Sequence, residues 1–175
     1  MRPSSRLITL WVIVLLLVLA AELIAKEAGK GWVWLPMAGS GLLLVAALLS
    51  VFDAISSKRG LVLEIARNIP DHFSVGRPHP IELSVVPKKR LKRPVSVTLY
   101  DLYPNTWQVN HTSLSVDLLP DRGSATQYQA TPILRGDAEF LGTQYSLNSH
   151  LGLWQIYRRT NDTTTVKVLP DFSRI

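Results

Sequence analysis

Between two stretches of alternating apolar residues, Lys88-Lys89-Arg90-Leu91-Lys92-Arg93 carries five basic side chains in six positions. Charge at that density does electrostatic rather than covalent chemistry. Lys88, Lys89, Arg90, Lys92 and Arg93 read either as a solvated hairpin loop or as a contact with anionic lipid, where each basic residue is worth about 1 kcal/mol. Nucleic acid is not expected as a partner, because no aromatic platform interleaves with the basic run to stack on bases. Two further residues are candidate partner contacts. Trp107, after Pro104-Asn105-Thr106, serves recognition if its ring reaches solvent. Arg135 precedes Gly136 in an expected turn where glycine supplies a positive φ. Its guanidinium is expected to pair with Asp137 or Asp101, or else to meet a docking partner.

Other reactive residue types stand in patterns that carry no reaction. His72, His79, His111 and His150 lack metal-ligand spacing, and without cysteine the chain has neither disulfides nor a thiolate metal site. No Gly-x-Ser-x-Gly elbow, phosphate-cradling glycine loop or paired carboxylates occur. No catalytic residue, metal or cofactor is therefore assigned, and an enzyme is not expected. Gly152-Leu153-Trp154 reads as the end of a loop and the start of a strand, with Trp154 buried or half-buried as a core anchor.

The elements that position these residues fall into two solvents. Of 175 residues, the front third holds two apolar runs, 7–25 and 32–55, separated by the polar break 26–31. At 1.5 Å per residue each can cross a hydrocarbon core of about 30 Å as a helix. A transmembrane hairpin is expected, with residues 1–6 as a cytoplasmic tail. Arg2, Arg6, Lys58, Arg59 and Arg67 flank its outer ends against Lys26 and Lys30 in its turn. That bias places both termini in the cytoplasm and the chain as a two-pass protein of a bacterial or archaeal inner membrane. Trp32 and Trp34 suit an aromatic belt, Pro36 suits a first turn, and Glu22 is read as reaching the interface near Lys26. The small residues Ala38-Gly39-Ser40-Gly41 and Ala46-Ala47 allow the two spans to pack closely.

From residue 56 the apolar period becomes two, as in Leu61, Leu63 and Ile65, with Glu64 and Arg67 read off that face. Similar runs recur at 81–86, 95–100, 114–118, 127–130, 139–147, 153–157 and 164–169, divided by Pro, Gly, Asn and Asp clusters. Residues 56–175 are thus expected to form one all-β, Ig-like antiparallel sandwich of seven to eight strands. This part carries fifteen basic and ten acidic residues, a net charge of +5.

Motif order adds a resemblance. A basic amino terminus and a membrane hairpin precede a strand from Leu61. Then come Phe73-Ser74-Val75-Gly76, Asp101-Leu102-Tyr103-Pro104, Tyr128 through Pro132 to Arg135-Gly136, Leu151-Gly152-Leu153-Trp154 and Val166-Lys167-Val168-Leu169-Pro170. This order resembles the amino-terminal part of the membrane proteins of domain-of-unknown-function family 58. The resemblance spans almost the whole chain. It implies that a von Willebrand factor A-like region, with its metal site, would follow, so the chain is expected to be a truncated member or a fragment. It also implies association with a MoxR-type AAA+ ATPase. The function expected is a membrane-anchored, non-enzymatic scaffold or adaptor. The alternative is an externally facing β-sandwich that binds an envelope ligand.

Overall fold

The computed structural model describes residues 1–28, 34–58, 61–91, 93–120 and 122–170. Lys30, Trp32, Arg59 and Lys92 of the readings above lie outside them. Two compact units emerge, Met1–Gly60 with Asn148–Ile156, and Leu61–Leu147 with Tyr157–Ile175. The expected boundary at residue 56 therefore needs one amendment: a nine-residue segment far along the chain belongs with the helices.

In the first unit, α1 (Ser5–Ala28) and α2 (Trp34–Lys58) extend each apolar run by a few polar residues. Ser4 caps α1, its hydroxyl accepting the Leu7 N–H at 3.3 Å. Pro36 falls in the first turn of α2. Stretches of 23 and 21 residues, Ser5–Glu27 and Met37–Ser57, are long and apolar enough to cross a membrane.

The helices meet along a heptad seam. On α1 the covered positions include Leu7, Trp11, Val14, Val18, Ala21 and Ala25, and on α2 Gly39, Leu43, Ala46, Ser50, Asp53 and Ser57. Steps alternate between four and three residues, the period that keeps one stripe against a partner helix. A Cβ added at Gly39 would lie 3.4 Å from Val18 Cγ1, whereas one at Gly41 would meet nothing within 4 Å. Gly39 is thus the glycine at the close approach. The remaining faces expose leucine, valine and phenylalanine, including Leu16, Leu44 and Phe52. β1 (Arg2–Pro3) pairs antiparallel with the start of β11 (Trp154–Arg159), setting Pro3 opposite Trp154.

The second unit is built from sheets that are antiparallel except at one short pairing. In one, β2 (Leu63–Asn68), β4 (His79–Pro87), β8 (Ser124–Pro132) and β6 (Trp107–Val109) lie in that order. In another, β12 (Thr164–Leu169) sits between β9 (Gly136–Phe140), antiparallel, and β3 (Phe73–Ser74), which is parallel to it. In a third, β5 (Val95–Asp101) is flanked by β7 (Leu114–Leu118) and β10 (Thr143–Asn148). Alternation drives the burial. Ile81, Leu83 and Val85 of β4 and Val97 and Leu99 of β5 are fully buried, while the residues between them are not.

Three expectations change. There are more than seven or eight strands, because β3 and β6 form from segments assigned to no strand and 139–147 divides into β9 and β10. The division falls at Gly142, whose φ of +104° suits glycine alone and whose Cβ, if present, would lie 2.2 Å from the Thr160 carbonyl oxygen. Arg67 stands an even number of residues from Leu63 and Ile65, so it shares their inward face instead of leaving it.

Gly142→Ala combines a backbone clash with a disfavoured φ, whereas Gly76→Ala, at φ +74° with open space around it, carries only the conformational penalty. Urea denaturation of the detergent-solubilised chain should show a loss of about 3 kcal/mol or more for the first and about 1–2 kcal/mol for the second. Equal losses would mean that the Thr160 contact is not limiting.

Candidate functional site

Arg67 brings the most concentrated polar chemistry of the second unit to its interior. Its Nε donates to Asp101 Oδ2 at 3.1 Å and its Nη2 to Asp101 Oδ1, a bidentate ion pair with both side chains almost wholly buried. Asp101 also accepts hydrogen bonds from Tyr128 Oη at 2.6 Å and Thr143 Oγ1 at 3.2 Å. Arg67 Nη1 donates to Thr164 Oγ1 at 3.3 Å, and the guanidinium carbon stands 4.5 Å from the centroid of the Phe140 ring. These residues come from β2, β5, β8, β10, β12 and β9, so one charge pair joins strands of all three sheets. Both carboxylate oxygens are doubly engaged, which is what a buried charge requires.

A cavity of about 300 Å³ beside this pair is lined by Glu64, Ile65, Ala66, Arg67, Thr143, Asp162 and Thr164. Arg67 already spends its Nε, Nη1 and Nη2 on protein acceptors, so it presents a structural cation more than an anion receptor. Among the described residues no three His, Asp or Glu side chains are grouped to hold a metal.

Tyr128 and His79 have altered acidity. Burial, the negative charge of Asp101 and the hydrogen bond to it drive the Tyr128 phenol well above its usual range. Burial lowers His79, whose Nε2 accepts the Ser74 N–H at 2.9 Å and so must be unprotonated, while its ring stands edge-on to Phe73. His79 is therefore a packed residue and not a loop histidine.

The predicted contact residues separate. Trp107 is only 4% exposed, packed edge-on between Phe73 at 4.6 Å and Phe140 at 5.2 Å, so its recognition role gives way to core packing. Its indole N–H is buried without an acceptor. Arg135 is exposed, and its expected partner Asp101 is taken by Arg67. It lies with Val75, Ile133, Leu134 and Pro170 around an apolar depression of about 360 Å³, in which Leu134 is 60% exposed. Gly136 has the expected positive φ, +123°. Lys88, Lys89, Arg90 and Arg93 are exposed in the β4–β5 connection, which Leu91 pins by burial.

The first unit holds a carboxylate that sequence reading passed over. Asp53, fully buried on α2, accepts the Leu151 N–H on Oδ1 at 2.9 Å and, on Oδ2, the Leu153 N–H at 3.2 Å and the Ser149 hydroxyl. Trp154 is half-buried as expected, and its indole N–H donates to the Ser50 carbonyl at 2.9 Å. The available signal was Asp53 itself, the lone acid of the second apolar run, with serines three before and four after it on the same helical stripe.

No family model and no curated protein matches the chain. Solved structures similar to it include a portion of Escherichia coli alpha-2-macroglobulin from domain MG7 to the carboxy terminus, at 13% identity and a TM-score of 0.48 over 63% of this chain and 17% of that one. The chain thus spans about a sixth of that structure's length. Others are the CARDB domain of a Pyrococcus furiosus protein in complex with di-metal ions (16% identity, TM-score 0.41, 63% of this chain and 96% of that one) and a cohesin module of a Clostridium perfringens family 33 glycoside hydrolase (11%, 0.36, 63% and 99%).

Breaking the central pair singly should cost more than removing it whole. Arg67→Met leaves the Asp101 charge buried and should lose about 3–5 kcal/mol in urea denaturation of the solubilised chain, whereas Arg67→Met with Asp101→Leu should lose less. A double variant weaker than the single would argue against charge burial as the cause.

Tyr128 also sets an alkaline limit. The folded state holds the phenol neutral while the unfolded chain ionises near about 10. The stabilisation is therefore complete below that pH and is lost as pH rises above it. Tyr128→Phe should flatten the fall in stability between about pH 9.5 and 11, read by thermal melts, and an unchanged slope would assign that fall to other groups.

Proposed function

We propose that this chain is a membrane-anchored, non-enzymatic scaffold whose antiparallel sheets form an Ig-like sandwich. One observation carries the reading: residues 148–156, continuous with β10 and β11, are bonded to two helices of membrane-spanning length through Asp53, Ser50 and Ser4. The chain passes between the two units three times, near residues 60, 147 and 156. Those hydrogen bonds fix residues 148–156 to the helices, which suits an anchor. In the second unit the buried polar groups of Arg67, Asp101 and Tyr128 are consumed by one another, which is structural use.

The partner we propose is a MoxR-type AAA+ ATPase. Its support is the resemblance of motif order to family 58, with both termini facing the cytoplasm by the excess of basic residues at the outer ends of the hairpin. Arg135 with exposed Leu134 is the contact surface proposed for it, and anionic lipid is the partner proposed for the basic β4–β5 connection.

The chain lacks cysteine, so single cysteines report cleanly. In spheroplasts, a membrane-impermeant maleimide should leave a His111→Cys variant unlabelled until lysis. The full chain in detergent should then retain a MoxR-type ATPase with a non-hydrolysable ATP analogue, and Leu134→Ser with Arg135→Glu should cut retention about tenfold, equivalent to about 1.4 kcal/mol. Labelling before lysis would rule out a cytoplasmic partner, and failure of retention would leave an anchor without this ATPase.

A further inference from the structure

Residues 149–153 of the first unit are irregular in backbone, and from Ser149 to Trp154, the first residue of β11, every N–H is satisfied. The N–H of Ser149 donates to the Trp154 carbonyl at 2.7 Å, that of Gly152 to the Ser149 carbonyl at 3.0 Å, and that of Trp154 to Ser149 Oγ at 2.9 Å. Those of Leu151 and Leu153 go to Asp53, and that of His150 to Ser57 Oγ at 3.4 Å. Each of the six donors in turn thus has a protein acceptor. On the acceptor side, Ser4 donates its hydroxyl to the Gly152 carbonyl at 2.6 Å and its N–H to the Leu153 carbonyl at 2.9 Å. A loop in water has no need of such completeness, since water supplies partners at no cost in structure. Irregular backbone at membrane depth needs it, because an unpaired N–H in hydrocarbon costs several kcal/mol.

Depth points the same way. The Trp154 indole donates to the carbonyl of Ser50, seven residues inside the end of the spanning stretch Met37–Ser57. Seven residues of helix rise correspond to about 10 Å. The headgroup layer on each side of a bilayer is only about 5–8 Å thick. A contact that far inside the span reaches the boundary between headgroups and acyl chains. Leu151 remains 49% exposed there, and Trp154 is half-buried with its polar edge satisfied, the arrangement that favours tryptophan at an interface. Arg6 lies against Gly152, where an added Cβ would come 3.0 Å from its Nη1, and it places a cation at headgroup level.

We propose that residues 149–154 form a third membrane element, an interfacial loop whose Leu151 and Trp154 contact lipid and whose backbone is kept dry by Asp53. Asp53 acts as a positioning residue: its carboxylate replaces the water that two loop amides and a hydroxyl would otherwise take. The proposal rests on the reading of α1 and α2 as spans, but not on the scaffold role or the ATPase.

The test is nitroxide accessibility in proteoliposomes of phosphatidylethanolamine and phosphatidylglycerol. Leu151→Cys carries the label, with Leu44→Cys as the mid-span reference and His111→Cys as the aqueous one. The Leu151 label should collide with oxygen in preference to a water-soluble nickel chelate, with a ratio several-fold above that at His111. Adding Asp53→Ala should raise its nickel collisions severalfold while the Leu44 label stays unchanged. A Leu151 label matching His111 while Leu44 reads lipid would overturn the loop alone. Nickel access unchanged by Asp53→Ala would overturn the role given to Asp53. A Leu44 label that reads water would remove the spans and the loop together.

Discussion

The bidentate contact between Arg67 and Asp101 is the constraint around which the second unit is organised. Burying either charge alone is prohibitively costly, so the two must arrive together, and their arrival requires β2 to keep its register on β4 and β5 its register on β10. The remaining lone pairs and donors then select Tyr128, Thr143 and Thr164 from three more strands. Phe140 covers the guanidinium face, and the ring cluster of Phe73, Trp107 and Phe140 continues from there into the apolar core. Apolar alternation alone would let strands slip by two residues with little penalty. A single buried pair with directional partners makes such slips expensive.

Asp53 answers the same desolvation problem without a cation. Three donors from residues 149–153 surround its carboxylate, so the charge is solvated by peptide dipoles and a hydroxyl. The outcome differs accordingly. Arg67 and Asp101 bind strands to one another, whereas Asp53 binds a distant piece of chain to a helix. Its place in the heptad stripe suits the small neighbours Ser50 and Ser57, which meet the same segment: the Ser50 carbonyl accepts the Trp154 indole N–H and the Ser57 hydroxyl accepts the His150 N–H.

The helices were legible almost to their ends, because uninterrupted apolar composition leaves few alternatives, and so were β2, β4, β5, β7 and β12, because strict alternation has a period that helices do not share. The seam between α1 and α2 was not, since in a nearly uniform apolar run the covered stripe differs from the rest only in side-chain size. β3 and β6 are two and three residues long and exist through their partners, Val168 for Phe73 and Pro132 for Trp107. The basic connection and the turn at Gly136 could be read because charge and glycine act locally. Arg67 was misplaced by a parity that its neighbours already specified. Asp101 and Trp107 could be seen as residues, but their surroundings come from strands tens of positions away.

Separation along the chain also gives the first unit an order of assembly. The groups that neutralise Asp53 lie 96 to 100 residues beyond it. At about 5–20 residues per second of synthesis, roughly 5–20 s pass between the emergence of the carboxylate and that of its donors. Throughout that interval α2 carries an acid within its apolar run that no later residue has yet satisfied, so that part of the hairpin must be held near water. The anchor, though begun first, is therefore completed only once β10 has been made and residues 149–153 have followed it, with β12 of the second unit still to come.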